Sequence, residues 1–420
     1  MNILRGVKKM DLTFEQKLSN YAELAVKVGV NIQKNQFLYI TAAVDNMDFV
    51  RLVTKKAYEA GARQVFVDLV DDELTRLRYE LAPDDSFDFF PEWKKLERES
   101  LAEQNCAFMS IVSQSPDLLK GIDGTRIAAA QKAAAQALYK YREYAQSDKI
   151  SWTVIAAPSQ AWAAKVFPEL PVSEQVAALW EAIFKATRAD LQAPIDAWVT
   201  HNDTLHEKVE YLNDKKYAKL HYKAPGTDLT VALPDGHLWC GAGSVNVNGT
   251  EFMANMPTEE VFTTPHRDGV DGYVSSSKPL SYGGNIIDNF KLTFENGRIV
   301  DVTAEQGEDI LKSLVETDEG SHYLGEVALV PHESPISASG LLFYNTLFDE
   351  NASNHFAIGS AYAFCLEGGK EMTQDELAAH GLNRSLTHVD FMVGSAQMDI
   401  DGITVDGQVE PIFRAGNWAF

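Results

Sequence analysis

Along the first half of the chain, apolar residues at helical spacing alternate with short apolar runs. Phe14, Leu18, Tyr21, Ala22, Ala25 and Val28 recur every three or four positions, which predicts an amphipathic helix. Thr13-Phe-Glu-Gln16 reads as its capping box, the Thr hydroxyl accepting from a free backbone N–H while Gln16 reaches back, and Gly29 is its stop. Phe37–Thr41 predicts a strand, Asp48 opens a helix that Gly61 ends, and Gln64–Val70 predicts a second strand. Strand, helix and strand within about 35 residues form a βαβ unit, and such a crossover implies parallel strands. The alternation continues with helices over Asp72–Glu80 and Glu92–Gln104, a strand over Cys106–Ser113 and an Ala-rich helix over Ile122–Ala145. A strand over Ser151–Ala157 follows, then helices over Gln160–Val166, Ser173–Thr187 and Pro194–Asn213.

After Lys216 the period changes. Short runs bounded by turns predict strands over Tyr217–Tyr222, Asp228–Ala232, Tyr282–Ile287, Phe290–Glu295 and Arg298–Ala304. Asn296-Gly297, flanked by apolar alternation, is a strong hairpin signal. Glu305–Val315 predicts a helix with Ile310, Leu311 and Leu314 on one face. The expected architecture is an α/β N-terminal domain over residues 1–215, followed by an α+β, largely antiparallel domain over residues 216–420.

Composition narrows the functional classes. With 45% apolar residues in 420, the chain can bury a large core. A net charge of -23 argues against nucleic acid or an anionic membrane as partner, since each needs a basic face. Cys106, Cys240 and Cys365 form neither a Cys-x-x-Cys pair nor a disulfide framework, which fits a reducing compartment. Residues Met1 to Met10 are basic but lack the apolar run of a signal peptide, and no 18-residue apolar stretch occurs. The expectation is a cytoplasmic protein. No Gly-rich phosphate-binding loop opens any helix of the first half, so that half reads as scaffold, substrate wall or subunit contact.

Candidate chemistry concentrates between Glu260 and Asp390. In Asn255-Met-Pro-Thr-Glu-Glu-Val-Phe-Thr-Thr-Pro265, a following strand would point Glu259 and Glu260 to opposite faces, so one alone enters a shared site. A surface or capping carboxylate is the alternative. Glu326 heads the β-rich run Gly325–Val330, where a buried Glu needs an ionic partner or a metal. Glu350 and His355 share one short segment, and Tyr362 follows; structural roles remain open for each. In Thr387-His-Val-Asp-Phe391, a strand would put His388 and Asp390 on one face, aimed at one point. Two His with several carboxylates suit zinc, cobalt or manganese rather than the all-oxygen sets of calcium or the thiolate sets of structural zinc. These residues predict a dinuclear metal hydrolase. A phosphoesterase is a competing reading, with Arg384 as the nearest cation for phosphate; so is a solute-binding module with a structural metal.

The segments 255–265, 325–330, 349–355 and 387–395, in that order and spacing, resemble the thermophilic metalloprotease family of aminopeptidases, of the aminopeptidase T, aminopeptidase S and PepS type. The resemblance covers the second half; the first is compatible in length and α/β character. It implies a two-domain, homodimeric enzyme that removes N-terminal residues from peptides. Carried over, the metal ligands are Glu260, Glu326, Glu350, His355, His388 and Asp390, and Tyr362 is a catalytic-site tyrosine. Glu259 receives no ligand role, although it or Glu326 could shuttle the proton to the leaving amine. The cofactor implied is a pair of divalent ions: zinc, cobalt, magnesium or manganese.

Overall fold

The computed structural model describes residues 12–283 and 285–420, so Met1 to Met10 lie outside the described residues. Thr13 caps the first helix, Phe14–Leu24, through the reciprocal pair in which Gln16 N–H donates to Thr13 Oγ1 at 3.3 Å and Thr13 N–H donates to Gln16 Oε1 at 2.8 Å. The helix widens into a π-helical turn over Ala25–Gly29. There Gly29 lets another segment approach closely: a Cβ would sit 3.1 Å from Thr153 Oγ1 and 3.3 Å from the Met256 sulfur.

Four strands, β1 (Phe37–Ala43), β2 (Gln64–Val70), β3 (Ala107–Val112) and β4 (Trp152–Ala156), form a sheet of order β2-β1-β3-β4. All three pairings are parallel, as the βαβ pattern requires. Leu38, Ile40, Met109 and Ile155 belong to a core with the helical residues Tyr21, Phe49, Trp162 and Phe184. Met253, Met256, Phe343 and Phe348 of the second half join that core, and Trp162 Nε1 donates to the Phe343 carbonyl at 2.6 Å. Tyr39 and Phe108 pack in a separate cluster with Tyr141 and Trp152.

The second half holds two larger sheets. One has nine strands, all paired antiparallel. The other is built from β5 (Cys240–Gly241), β6 (Val261–Thr263), β7 (Leu324–Leu329), β8 (His355–Gly359) and β9 (His388–Met392), again antiparallel, in the order β9-β8-β7-β6-β5. Face-to-face packing joins the two: Phe356 meets Tyr222 at 5.0 Å between ring centroids and Phe391 meets Phe290 at 5.6 Å. Both faces of β7 and β8 are buried, so the second face of the smaller sheet is covered too.

Several boundaries differ from the sequence expectation for local reasons. The helix Pro194–Lys215 ends at Lys216, whose φ of 47° is left-handed, and pairing resumes only over Lys219–Ala224. The hairpin at Asn296-Gly297 forms, with φ of 49° and 82° as a type I′ turn needs, but its strands are longer than expected, Asn285–Glu295 and Arg298–Gln306. The next helix therefore starts at Glu308, after left-handed Gly307. The Ala-rich stretch is two helices, Gly124–Ala137 and Tyr139–Gln146, which meet at Leu138. No described helix is long and apolar enough to cross a membrane.

Candidate metal centre

Strand register explains how distant residues converge. Across three adjacent strands, Glu326 of β7 pairs with Ala357 of β8, and Ala357 pairs with Asp390 of β9. Two pairs along, Ala328 faces His355; two along in the other direction, Gly359 faces His388. With a side-chain period of two, all these positions share one sheet face. The opposite face carries Val327, Phe356, Ile358 and Phe391 into the core against the nine-stranded sheet. Ala328, Ala357 and Gly359 are small, so the ligand side chains surround open space rather than other side chains. Gly359 has φ of 114°, and a Cβ there would lie 2.2 Å from the Thr387 carbonyl, which excludes any larger residue beside His388. Glu260 immediately precedes β6, whose Val261 pairs with Leu329.

The side chains come together as this register dictates. His355 Nε2 lies 3.1 Å from Glu260 Oε2 and 3.5 Å from Glu326 Oε1. His388 Nε2 lies 3.6 Å from Glu326 Oε2 and 3.5 Å from Asp390 Oδ1. Glu260, Glu326 and His355 make one cluster with ligand atoms within 4.8 Å of one another; Glu326, His388 and Asp390 make a second. Glu326 belongs to both. It is the third residue of its strand rather than the first, and is 5% exposed. Glu350, in the buried turn Glu350–Ala352, lies near enough to feel the charges of Asp390 and Glu260 and lines the same cavity. Glu260 is 8% exposed, so it is not a surface carboxylate.

Both imidazoles are oriented for ligation. His355 Nδ1 faces the Ser353 carbonyl at 3.1 Å, and His388 Nδ1 faces the Ser360 carbonyl at 2.7 Å. A carbonyl there fixes the N–H on Nδ1 and leaves the Nε2 lone pair for a metal, the usual support of a ligating His. Asp390 Oδ1 is buried and makes no hydrogen bond, His388 at 3.5 Å being beyond a good one. Burial, then the neighbouring carboxylates, pushes Glu350 well above the ordinary carboxylate range, and burial likewise raises Glu326. Burial opposes a charged ring at His388, but Asp390 and Glu326 outweigh it and push the imidazole up to about 9. His355 is raised in the same way, burial being overcome by its bonds to Glu260 and Glu326. Burial works against ionised Asp390 as well, but His388 holds it below its usual value. Four carboxylates, those of Glu260, Glu326 and Glu350 buried and that of Asp390 nearly so, face two imidazoles and form a site with a large deficit of positive charge. Divalent cations match it in charge, ligand type and ligand orientation.

The site opens into a cavity of about 680 Å³ whose walls come from both halves of the chain. Phe108, Tyr141 and Trp152 line it from the first half, opposite Phe262, Tyr362 and Phe364. No sequence signal marked those first-half walls. The Tyr362 ring stacks on Phe364 at 5.1 Å and lies 4.8 Å from the His388 ring. Burial, then the carboxylates of Glu326 and Asp390, keeps its phenol protonated far above neutral pH. Arg384, the cation expected for phosphate binding, is exposed and does not line the cavity; the cations that do are Arg142 and Lys370, and Lys370 is paired with Asp148 at 2.9 Å. Glu259 points away from the cluster. Its carboxylate pairs with Arg188 at 2.7 and 3.1 Å, which takes it out of contention as a proton shuttle.

A family model described as thermophilic metalloprotease (M29) matches residues 14–418. The chain is 65% identical to Aminopeptidase AmpS of Bacillus subtilis (strain 168), over 97% of this chain and 100% of that protein. It is 52% identical to Aminopeptidase 2 of Geobacillus stearothermophilus, over 97% and 98% of the two chains. The solved structure of wild-type AmpT from Thermus thermophilus superposes with a TM-score of 0.92 at 44% identity, covering 97% of this chain and 100% of that one.

Proposed function

The chain belongs to the thermophilic metalloprotease family M29, a hydrolase acting on peptides, and from that premise we propose that it removes N-terminal residues with a pair of divalent metal ions. The ligands in this reading are Glu260, Glu326, Glu350, His355, His388 and Asp390, with residues 216–420 as the catalytic domain and residues 1–215 as the domain that completes the cavity. The observation that carries it is the double cluster sharing Glu326, with both imidazoles turned Nε2-inward. When bound, the ions supply Lewis acidity to a water and to the scissile carbonyl, and a position for the substrate's free α-amine.

The chain's own residues supply the rest. Glu326, held between two imidazoles, accepts the proton that the attacking water gives up and passes it to the leaving amine. The Tyr362 hydroxyl, protonated at working pH, donates a hydrogen bond to the oxygen that gains charge in the tetrahedral transition state. The aromatic walls exclude water from that oxygen, which strengthens the bond. Zinc, cobalt, magnesium and manganese all remain candidates, the two His favouring a transition metal. A homodimer belongs to this reading through the family resemblance, and a cytoplasmic location through the three free thiols. Mass spectrometry of a digested peptide tests the activity. Products should shorten one residue at a time from the amino end, and an N-acetylated copy should survive; cleavage of the acetylated peptide overturns the reading.

A further inference from the structure

Glu259 and Glu260 are adjacent, both buried, and serve opposite sides of the backbone. Glu260 meets His355 in the cluster. Glu259 receives both terminal nitrogens of Arg188, a residue of the first half, at 2.7 and 3.1 Å. Arg188 sits at φ of 61°, the left-handed residue that ends the helix Val172–Ala186, with the Ala189 N–H donating to the Phe184 carbonyl at 2.8 Å. Its guanidinium lies 5.5 Å from the Trp198 ring, and Trp198 Nε1 donates to the Thr187 carbonyl at 2.8 Å.

His201 closes the arrangement. Its Nε2 is 2.7 Å from the Thr258 carbonyl and its Nδ1 is 3.1 Å from Arg188 Nη2. A single neutral tautomer satisfies both, with Nε2–H donating to Thr258 and Nδ1 accepting from Arg188. The 3.6 Å approach of His201 Nε2 to Glu259 is then a contact rather than an ion pair. From the other side, the Glu259 N–H donates to Asn351 Oδ1 at 2.7 Å. Asn351 is fully buried and adjoins Glu350; its Nδ2 donates to the Leu347 carbonyl at 2.9 Å and lies 3.4 Å from Glu350 Oε1. The peptide that precedes Glu260 is therefore gripped at the Thr258 carbonyl, the Glu259 N–H and the Glu259 carboxylate.

We propose that Arg188, Glu259 and Asn351 are positioning residues, which fix the 258–260 backbone so that Glu260 and Glu350 are presented together to the metals, and which make metal affinity depend on contact between the two halves of the chain. The proposal rests on the metal-site reading above. Arg188 touches no ligand side chain; it acts through Glu259 on the orientation of its neighbour. Groups that hydrogen-bond a metal ligand directly are worth about 10–100-fold in metal affinity, and Arg188, acting one residue further out, should be worth about 10-fold.

The test is a chelator-competition titration of the full chain with zinc, alongside melting of the metal-free protein. Arg188→Lys keeps the charge but not the paired geometry; Arg188→Met/Glu259→Met removes both charges at similar volume, so that no buried charge is left alone. Both should bind zinc about 10-fold more weakly than the unmodified chain, with the lysine variant the milder. A variant that melts like the unmodified chain and binds zinc equally well shows the pair to be a structural contact alone. A metal-free melting temperature lowered in both variants with zinc affinity unchanged overturns the proposal in the same way. If the unmodified chain binds no zinc or cobalt, the metal-site reading fails first.

Discussion

Replacing Glu326 with Gln keeps the shape of the side chain and removes one charge from a carboxylate that touches both imidazoles, at 3.5 and 3.6 Å. Because Glu326 belongs to both clusters, the change weakens both halves of the site at once. Loss of a supporting partner alone costs about 10–100-fold in metal affinity. Loss of a shared ligand should then reach at least about 10²-fold, or about 2.7 kcal/mol. The stability that metal confers should fall by about the same amount, because a ligand bound only to the folded state stabilises through RT ln(1 + [L]/Kd). Without metal the sign reverses. Glu326 is buried among Glu260, Glu350 and Asp390, and deleting its charge relieves like-charge repulsion in a dry site. Metal-free Glu326→Gln should thus melt no lower than the metal-free parent, while the metal-loaded variant melts lower than the metal-loaded parent. Melting curves with and without zinc, metal content, and kcat/KM on an aminoacyl chromogenic amide are read on one preparation. Near-normal turnover with full metal content refutes the argument and leaves Glu326 a buried structural carboxylate.

Tyr362→Phe should lower kcat and kcat/KM together by about 10²–10³-fold while metal content and melting temperature hold, since the ring still packs on Phe364; an unchanged kcat removes Tyr362 from the chemistry. Tyr21→Phe is the structural counterpart: the Tyr21 hydroxyl donates to the Ala156 carbonyl at 2.9 Å and accepts from the Ala156 N–H at 3.0 Å, in the core. That change should cost about 1–3 kcal/mol of stability, read by denaturant unfolding, with kcat untouched. Gly359→Ala should destabilise the fold and depress metal affinity, because its Cβ has no room beside the Thr387 carbonyl and His388 follows directly; native melting and metal content would show that β8 and β9 can part there at no cost.

The parallel sheet was legible because each of its strands is a short apolar run between helical periods; burial demands such runs in β1 and β3, while β2, at the sheet edge, is apolar without being buried. His388 and Asp390 were legible as a pair because a period of two needs no tertiary information. Strands such as Cys240–Gly241 and Val261–Thr263 were not, since two or three residues carry no measurable period. Glu259 illustrates the harder limit. Nothing local says whether it or Glu260 faces the site; Arg188 decides, from a position in the other half of the chain whose left-handed backbone no Gly or Asn announces. The cavity walls Phe108, Tyr141 and Trp152 were equally silent, because an aromatic residue facing a cleft and one facing a core are written alike.

Turnover of an aminoacyl chromogenic amide before and after metal removal tests the central claim most directly, with residual metal measured on the same sample. Activity should vanish with the metal and return on adding zinc, cobalt or manganese. Full turnover by protein verified to be metal-free would contradict the account.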